Sequence, residues 1–327
     1  MILVTGGAGF IGSNLVAALC ERDIAPVVVC DMLEPPEKAR NLERHTVVDI
    51  VAPDELALWL EAKGARLDAV FHMGAASSTV TADAESVLTN NFDLSMMLWR
   101  WCSLHNVRLI YASSAATYGA GANGFDDDGE IEALARLRPL NLYGWSKHLF
   151  DMDAVSLATA GIAPPQWAGL KFFNVYGPNE YHKGGQESLV AQLYRQIDET
   201  GKARLFRSHH PGYPNGGQER DFVWVGDCID IMLWLHDNPA VNGLFNVGTG
   251  RARTFSDLAQ ACFAAMRREP AIEYFDTPEH IRKHYQYHTQ AAMARLRDAG
   301  YERRPTALED GVYLYVQDYL ATNDPYR

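Results

Sequence analysis

Several things that commonly mark a function are missing from this sequence. No apolar run approaches the roughly 20 residues of a membrane span. The five cysteines, Cys20, Cys30, Cys102, Cys228 and Cys262, are scattered, with no Cys-x-x-Cys spacing. That argues against a zinc site or a disulfide framework and for buried thiols in a reducing compartment. Positive charge is also short. The 29 Lys and Arg against 41 Asp and Glu leave a net charge of −12, which disfavours nucleic acid and anionic membrane as partners. An anionic ligand would then need a local basic pocket. The opening Met1-Ile-Leu-Val-Thr5 has no basic n-region before it, so a cytoplasmic protein is expected. No internal repeat or low-complexity tract is present. What remains is 327 residues, 47% of them hydrophobic, enough for a large core in one or two domains.

The hydrophobic pattern predicts a strand over residues 1–5, short, apolar and ended by glycines. Helical spacing follows over 10–22 through Ile11, Leu15, Ala18 and Leu19. A strand is expected over 26–30, a helix over about 54–63, a strand over 67–72, and a long helix from about 83 to 105. A strand over 107–113 and a helix over 143–161 complete this half. Strand, helix, strand in this rhythm predicts an α/β protein with a Rossmann-type, doubly wound parallel sheet. Beyond about residue 174 the rhythm becomes irregular, with a loop composition over 209–217 and strands expected over 221–225 and 243–248. The expected division is a dinucleotide-binding domain, 1–173 plus about 222–250, and a smaller, discontinuous α/β substrate domain, about 174–221 plus 251–327. The run Asp126-Asp127-Asp128 is expected to be a solvated loop rather than a metal site.

Gly7-x-Gly9-x-x-Gly12, opened by Thr5-Gly6, follows a predicted strand and begins a predicted helix. Glycine lets a backbone approach a pyrophosphate closely, and the helix N-terminus favours its charge. Asp31, 19 residues after Gly12 and at the end of the second strand, can accept from an adenosine ribose hydroxyl. Asp31 alone favours NAD. Lys38 and Arg40 just beyond it could balance the extra phosphate of NADP, or be solvated loop cations.

Tyr143-Gly-Trp-Ser-Lys147 places a phenol and an ammonium one helical turn apart on one face. A phenol with a reference pKa near ~10 needs such a cation to act as a base at neutral pH. Ser114, at the end of the preceding strand, can hydrogen-bond the same substrate oxygen. Behind a dinucleotide motif, this constellation points to hydride and proton removal from an alcohol.

With Thr5 to Gly12, Asp31, Phe71-His-Met-Gly-Ala-Ala76, Asn90-Asn91, Ser113 to Gly119, Tyr143 to Lys147 and Phe172-Phe-Asn-Val-Tyr-Gly-Pro178, the chain resembles the extended short-chain dehydrogenases/reductases of the nucleotide-sugar epimerase and dehydratase group. Dehydratases of that group carry an Asp-Glu pair where this chain has Ala115-Ala116, which favours epimerisation. His182-Lys183-Gly184, Arg220 to Asp227, Asn246 to Arg251 and Tyr285-Gln286 extend the likeness to its ADP-glycero-manno-heptose 6-epimerase branch. That resemblance implies inversion at C6″ of an ADP-linked heptose for lipopolysaccharide synthesis, a retained NADP and a homo-oligomer, typically a pentamer. It implies Tyr143, Lys183, Lys147 and Ser114 as catalytic residues. For the cofactor it implies Gly6, Gly9, Phe10, Ile11, Gly12, Asp31, Met32, Lys38, Met73, Gly74, Ala75, Ala76, Ser77, Asn90, Lys147, Val175 and Lys183. For the substrate it implies Ser114, Asn174, Gly185, Gln192, Phe206, Arg207, Ser208, His209, Arg220 and Tyr285. Pro53 replaces a lysine found near the cofactor phosphate in that branch, Gly185 a serine and Tyr181 a glycine. The stretch between Tyr118 and Tyr143 is longer and more acidic than is usual there.

Several alternatives stay open at this level. Lys183 is either a second base across from Tyr143 or a phosphate ligand. Arg220 either binds the substrate diphosphate or pairs with Asp221 or Asp227. The rival functions are a UDP-hexose 4-epimerase using NAD, a net dehydrogenase, and a catalytically silent NADP-binding sensor. His280, His284 and His288 have the spacing of one helix face, but no Cys or acid cluster completes a metal site, and none is expected.

Overall fold

A computed structural model describes residues 1–76, 84–282 and 285–327. In chain order the strands are β1 (Ile2–Thr5), β2 (Val27–Cys30), β3 (Asp49–Val51), β4 (Ala69–His72), β5 (Arg108–Ser114), β6 (Trp167–Phe172), β7 (Asn174–Tyr176), β8 (Ala203–Phe206), β9 (Glu219–Arg220), β10 (Phe222–Trp224), β11 (Gly243–Val247), β12 (Arg253–Thr254) and β13 (Ile272–Phe275). Seven of them form one sheet in the order β11-β6-β5-β4-β1-β2-β3. All six pairings are parallel. This is the expected Rossmann-type sheet, and it explains why β1, β2 and β4 are buried along their whole length. Helices cover both faces, so both sets of alternating side chains are buried.

The two faces can be separated residue by residue. Ile2, Val4, Val27, Val29, Phe71, Leu170 and Phe245 pack with the helices Phe10–Glu21 and Val225–Asp237. Leu3, Val28, Val70, Leu109 and Tyr111 face the other way, toward Trp99, Cys102 and Phe150 of the helices Leu94–His105 and Leu142–Thr159. A third core joins Val190, Leu193 and Ile197 to Leu205, Phe222, Leu258, Phe263, Val312 and Tyr315. Leu296 and Tyr301, within the portion assigned by sequence to the substrate domain, pack instead on the sheet core.

Two expectations need correction. The helix expected from 83 to 105 is broken by a π turn over Thr89–Asp93, which separates Ala84–Leu88 from Leu94–His105. Asp127 is not solvated. It is 1% exposed, accepts from the Asn246 N–H at 2.7 Å, and burial pushes its carboxyl up to about 6. Among the described residues no helix is long and apolar enough to cross a membrane, and no group of side chains is placed to hold a metal ion.

Trp99 is fully buried, edge-on to Phe150 and Trp167 with centroids 6.1 and 5.4 Å away, and its indole N–H donates to the Ile162 carbonyl at 3.0 Å. Trp99→Ala is therefore expected to cost about 3–5 kcal/mol in urea unfolding. A loss below about 1 kcal/mol would show that this face of the sheet repacks freely.

Candidate active site

All seven sheet strands point the same way, so their carboxyl ends open along one edge. The loop after β1 is the first component. Gly6 adopts a φ of 63° and donates to the Cys30 carbonyl at 2.8 Å, tying the loop to β2. A side chain at Gly12 would place its Cβ 2.1 Å from the Gly6 carbonyl oxygen, and one at Gly6 would meet the Gly74 backbone at 2.5 Å. Three backbones therefore meet where no Cβ fits. Gly9 caps the helix Phe10–Glu21 without a side-chain acceptor, and the first turn holds no acid. The first-turn N–H groups remain available to an anion. These features fit a dinucleotide pyrophosphate.

Asp31, beyond β2, accepts from the N–H groups of Ala8 (2.9 Å) and Met32 (2.7 Å) and pairs with Lys38. It thus fixes the glycine loop, while Lys38 offsets its charge. Arg40 is drawn away, over the Tyr326 ring at 4.2 Å and toward Asp324 at 3.6 Å. Met32 is exposed just beyond Asp31. After β4, the Gly74 N–H donates to Thr5 Oγ1, and Thr5 shares a 2.6 Å bond with His72, whose other nitrogen meets Ser95 Oγ at 2.8 Å. Asn91 bonds both backbone groups of Ala76 and the Ser146 hydroxyl, joining Met73, Gly74, Ala75 and Ala76 to the helix of Tyr143. Ile11 packs at the edge of the sheet core and Asn90 lies in the π turn. Ser77 falls outside the described residues.

Asn141 caps the helix Leu142–Thr159 by accepting from Gly144 N–H at 2.8 Å, so Tyr143 stands in its first turn. Burial raises the Tyr143 pKa, and a hydrogen bond with Ser114 opposes that. Lys147, one turn on, is 2% exposed, and burial pulls its ammonium down to about 8. The phenol that must lose a proton thus has a hydroxyl partner and a neighbouring cation that is still charged near neutral pH.

Lys183 comes from a different element, the 3-10 turn Tyr181–Gln186. Its ammonium lies 5.1 Å from the Phe10 ring centroid, and burial lowers its pKa against the opposing pull of Glu180 and Glu187. Buried asparagines hold this turn to the cofactor loop. Asn41 donates to the carbonyls of Ala8 (2.8 Å) and Asn179 (3.1 Å), Asn14 to those of Phe10 (2.9 Å) and Pro178 (3.0 Å), and Asn179 to Ser13 Oγ (3.0 Å). Glu180, fully buried, accepts from Ser188 and from the Tyr315 hydroxyl. These supporting residues were not singled out from sequence. Only Glu180, one turn before Lys183, left a local signal.

The remaining expected residues, Val175 for the cofactor and the rest for substrate, come from several separate segments. Asn174 and Val175 open β7, with Asn174 exposed. Gly185 is exposed in the Lys183 turn, and Gln192 is turned toward the Glu187 carbonyl at 2.8 Å. Phe206 ends β8, and Tyr285 meets it edge-on at 6.1 Å. Arg220 lies between the Tyr285 and Phe255 rings, 5.6 and 5.5 Å from their centroids, and donates to the carbonyls of Glu219 and Gln286. The ion pair considered for Arg220 is not formed. Asp221 accepts from Thr249, Gly250 and Ala291, and Asp227 from Thr306. Arg207, Ser208 and His209 run along the exposed loop, where Arg207 reaches Asp276 at 3.6 Å. Lys147, Lys183 and Arg220 therefore share a property: among the described residues none has a carboxylate within ion-pairing distance. His288 pairs with Glu219 at 2.7 Å, and His284 lies outside the described residues.

A dinucleotide cradle facing a Ser-Tyr-Lys set defines a nicotinamide-dependent enzyme of sugar or alcohol redox chemistry. The chain belongs to the NAD dependent epimerase/dehydratase family, whose model matches residues 2–248. It is 52% identical over 330 residues to an ADP-L-glycero-D-manno-heptose-6-epimerase of Nitratidesulfovibrio vulgaris, covering 100% of both chains. Among solved structures it is similar to the Helicobacter pylori ADP-L-glycero-D-manno-heptose-6-epimerase, with a TM-score of 0.79 and 29% identity over 97% of this chain and 95% of that one. It is also similar to a Thermotoga maritima UDP-glucose 4-epimerase, with a TM-score of 0.77 and 25% identity over 97% of both. The protein is an epimerase, and its cofactor is a nicotinamide dinucleotide.

Gly12→Ala puts a methyl group against the Gly6 carbonyl. The purified variant is expected to retain at least about tenfold less dinucleotide, as one displaced contact of ~1.4 kcal/mol already implies. Wild-type retention would contradict the close approach at the cradle.

Proposed function

We propose that this chain interconverts ADP-D-glycero-D-manno-heptose and ADP-L-glycero-D-manno-heptose by oxidising C6″ to a ketone and reducing it on the opposite face. The observation that carries this reading is a second lysine, Lys183, half-buried on a separate element from Tyr143 and Lys147 and, among the described residues, without a carboxylate within ion-pairing distance. A nicotinamide dinucleotide held by the Gly6–Gly12 loop, Asp31 and Lys38 would supply the hydride acceptor and donor for C6″.

The chain's own residues handle the proton and the oxygen. In one epimer Tyr143 takes the hydroxyl proton, with Ser114 bonded to the same oxygen and Lys147 stabilising the phenolate. After inversion the oxygen lies elsewhere, and Lys183 delivers the proton. For the proton to be returned, one group starts deprotonated and the other protonated, and the lowered Lys183 pKa suits an amine that alternates. Ala115 and Ala116 offer no acid to expel water. Arg220, between two aromatic rings, is positioned for the diphosphate. The division into a dinucleotide domain and a substrate domain belongs to the same reading.

NADP is the proposed dinucleotide, because Lys38 already offsets Asp31 and so reduces the repulsion of a 2′-phosphate. A cytoplasmic homo-oligomer, a pentamer by resemblance, serving lipopolysaccharide inner-core synthesis completes the proposal. Mass spectrometry of the dinucleotide released on denaturation, and sedimentation of the holoprotein, test these points. Recovery of NAD alone or of a monomer contradicts them.

Lys183→Met and Tyr143→Phe are each expected to slow epimerisation by about 100- to 10,000-fold with KM changed little. A Lys183→Met enzyme with the wild-type rate would reduce Lys183 to a phosphate ligand. Turnover of UDP-galactose but not of the ADP-heptose would select the 4-epimerase instead.

A further inference from the structure

One carboxylate behind the catalytic helix binds three elements together. Asp151 lies four residues after Lys147 and eight after Tyr143 on the helix Leu142–Thr159, so the three share a face. It is fully enclosed and accepts from the Tyr111 hydroxyl at 3.0 Å, Ser113 Oγ at 2.7 Å and Lys171 Nζ at 2.6 Å. Lys171, on β6 and equally enclosed, also donates to Thr117 Oγ1 at 2.9 Å, and its ammonium stands 5.1 Å from the Tyr118 ring centroid. β5, the turn after it, β6 and the catalytic helix thus meet at Asp151.

The charges here do not balance. Two buried ammonium groups, Lys147 and Lys171, share one carboxylate. Lys171 holds it directly, and Lys147 feels it through the helix face. The other titratable groups facing this cluster are neutral near pH 7. His72, from β4, is pulled down to about 3 by burial and by Lys147. His148, on the same helix, is lowered by burial and by Lys171. Tyr111 from β5 and Tyr118 from the following turn are raised well above their ordinary value, and Tyr143 is raised too, by burial first and also by Asp151 itself. Arg138 reaches only His148, and Asp127 only Tyr118. Asp151 is the group that opposes the desolvation of Lys147.

We propose that Asp151 is a positioning residue of the reaction: with Lys171 it registers the helix that carries Tyr143 and Lys147, and its carboxylate keeps Lys147 charged in an apolar interior. The proposal rests on the reading of Lys147 as the cation that supports Tyr143. A charged lysine there stabilises the phenolate, whereas a neutral one leaves the phenol too weak a base.

The test is the pH profile of kcat in the holoprotein. Asp151→Asn removes the carboxylate that opposes the desolvation of Lys147 and leaves Lys171 without its ion-pair partner. The alkaline limb is expected to move down by about one pH unit or more, which at pH 8 reads as roughly a tenfold loss of kcat with KM changed little. Asp151→Asn with Lys171→Met removes both charges and the buried unpaired ion, so its thermal midpoint should return toward wild type while the limb stays low. Lys171→Met alone leaves the carboxylate to Lys147, and the limb should rise. A limb unmoved in any folded member of the three would overturn the proposal and leave Asp151 a structural residue. Lys147→Met in the same assay keeps the two readings apart. If it retains the wild-type limb, the reading of Lys147 fails and the charge-holding role of Asp151 with it, whereas a lost limb in Lys147→Met beside an unmoved limb in Asp151→Asn overturns the role of Asp151 alone.

Discussion

The parallel register of the central sheet is the constraint on which the rest depends. Thr5 lies beside both Cys30 and His72, His72 beside Tyr111, and Ser114 beside Phe172. With every strand pointing the same way, the glycine loop, the segment after His72, Ser114 and the start of β7 all emerge along one edge. The close approach of Gly6, Gly12 and Gly74 exists because two of these exits, the glycine loop and the segment after His72, coincide. Segments as far apart in sequence as those of Gly6 and Asn174 leave the same edge of the sheet for this reason, and not through any local preference.

Within that frame, desolvation sets the chemistry. A chain with a net charge of −12 holds one buried cation, Lys147, and two half-buried ones, Lys183 and Arg220, with no carboxylate within ion-pairing distance of them among the described residues. Lys147 and Lys183 are lowered by burial, and so is Arg220. Each is costly to enclose and is balanced only partly by the protein. A dinucleotide and a sugar diphosphate would supply the missing negative charge. Lys147 and Lys183 each have a buried carboxylate near them that stops short of an ion pair, Asp151 for Lys147 and Glu180 for Lys183. That arrangement holds charge on the lysine without tying up its protons.

How much of this was legible in the sequence follows from the range of the interactions. β1, the glycine turn and the helix after it were readable, because a strand covered on both faces is continuously apolar and a pyrophosphate turn needs glycine within six residues. Tyr143 and Lys147 were readable because helical spacing puts them on one face. The fold class followed from the alternation of strand and helix. The bonds of Asn41 to Asn179, 138 residues away, and of Asn246 to Phe125, 121 away, leave no local pattern. Asp127 looked solvated because acidic runs usually are, and only the Asn246 N–H, 119 residues on, explains its burial. The freedom of Arg220 depended on Asp221 and Asp227 being occupied by Thr249 and Thr306, which neighbours in sequence do not reveal.

The central claim is that one site removes and returns the same hydrogen at C6″. ADP-D-glycero-D-manno-heptose labelled with deuterium at C6″ tests it, with NMR of the product and absorbance of the dinucleotide followed together. The account predicts an L-glycero product that keeps its deuterium at C6″, with no steady accumulation of reduced dinucleotide. Inversion with loss of the label to water, or stoichiometric reduced dinucleotide without inverted product, would contradict it.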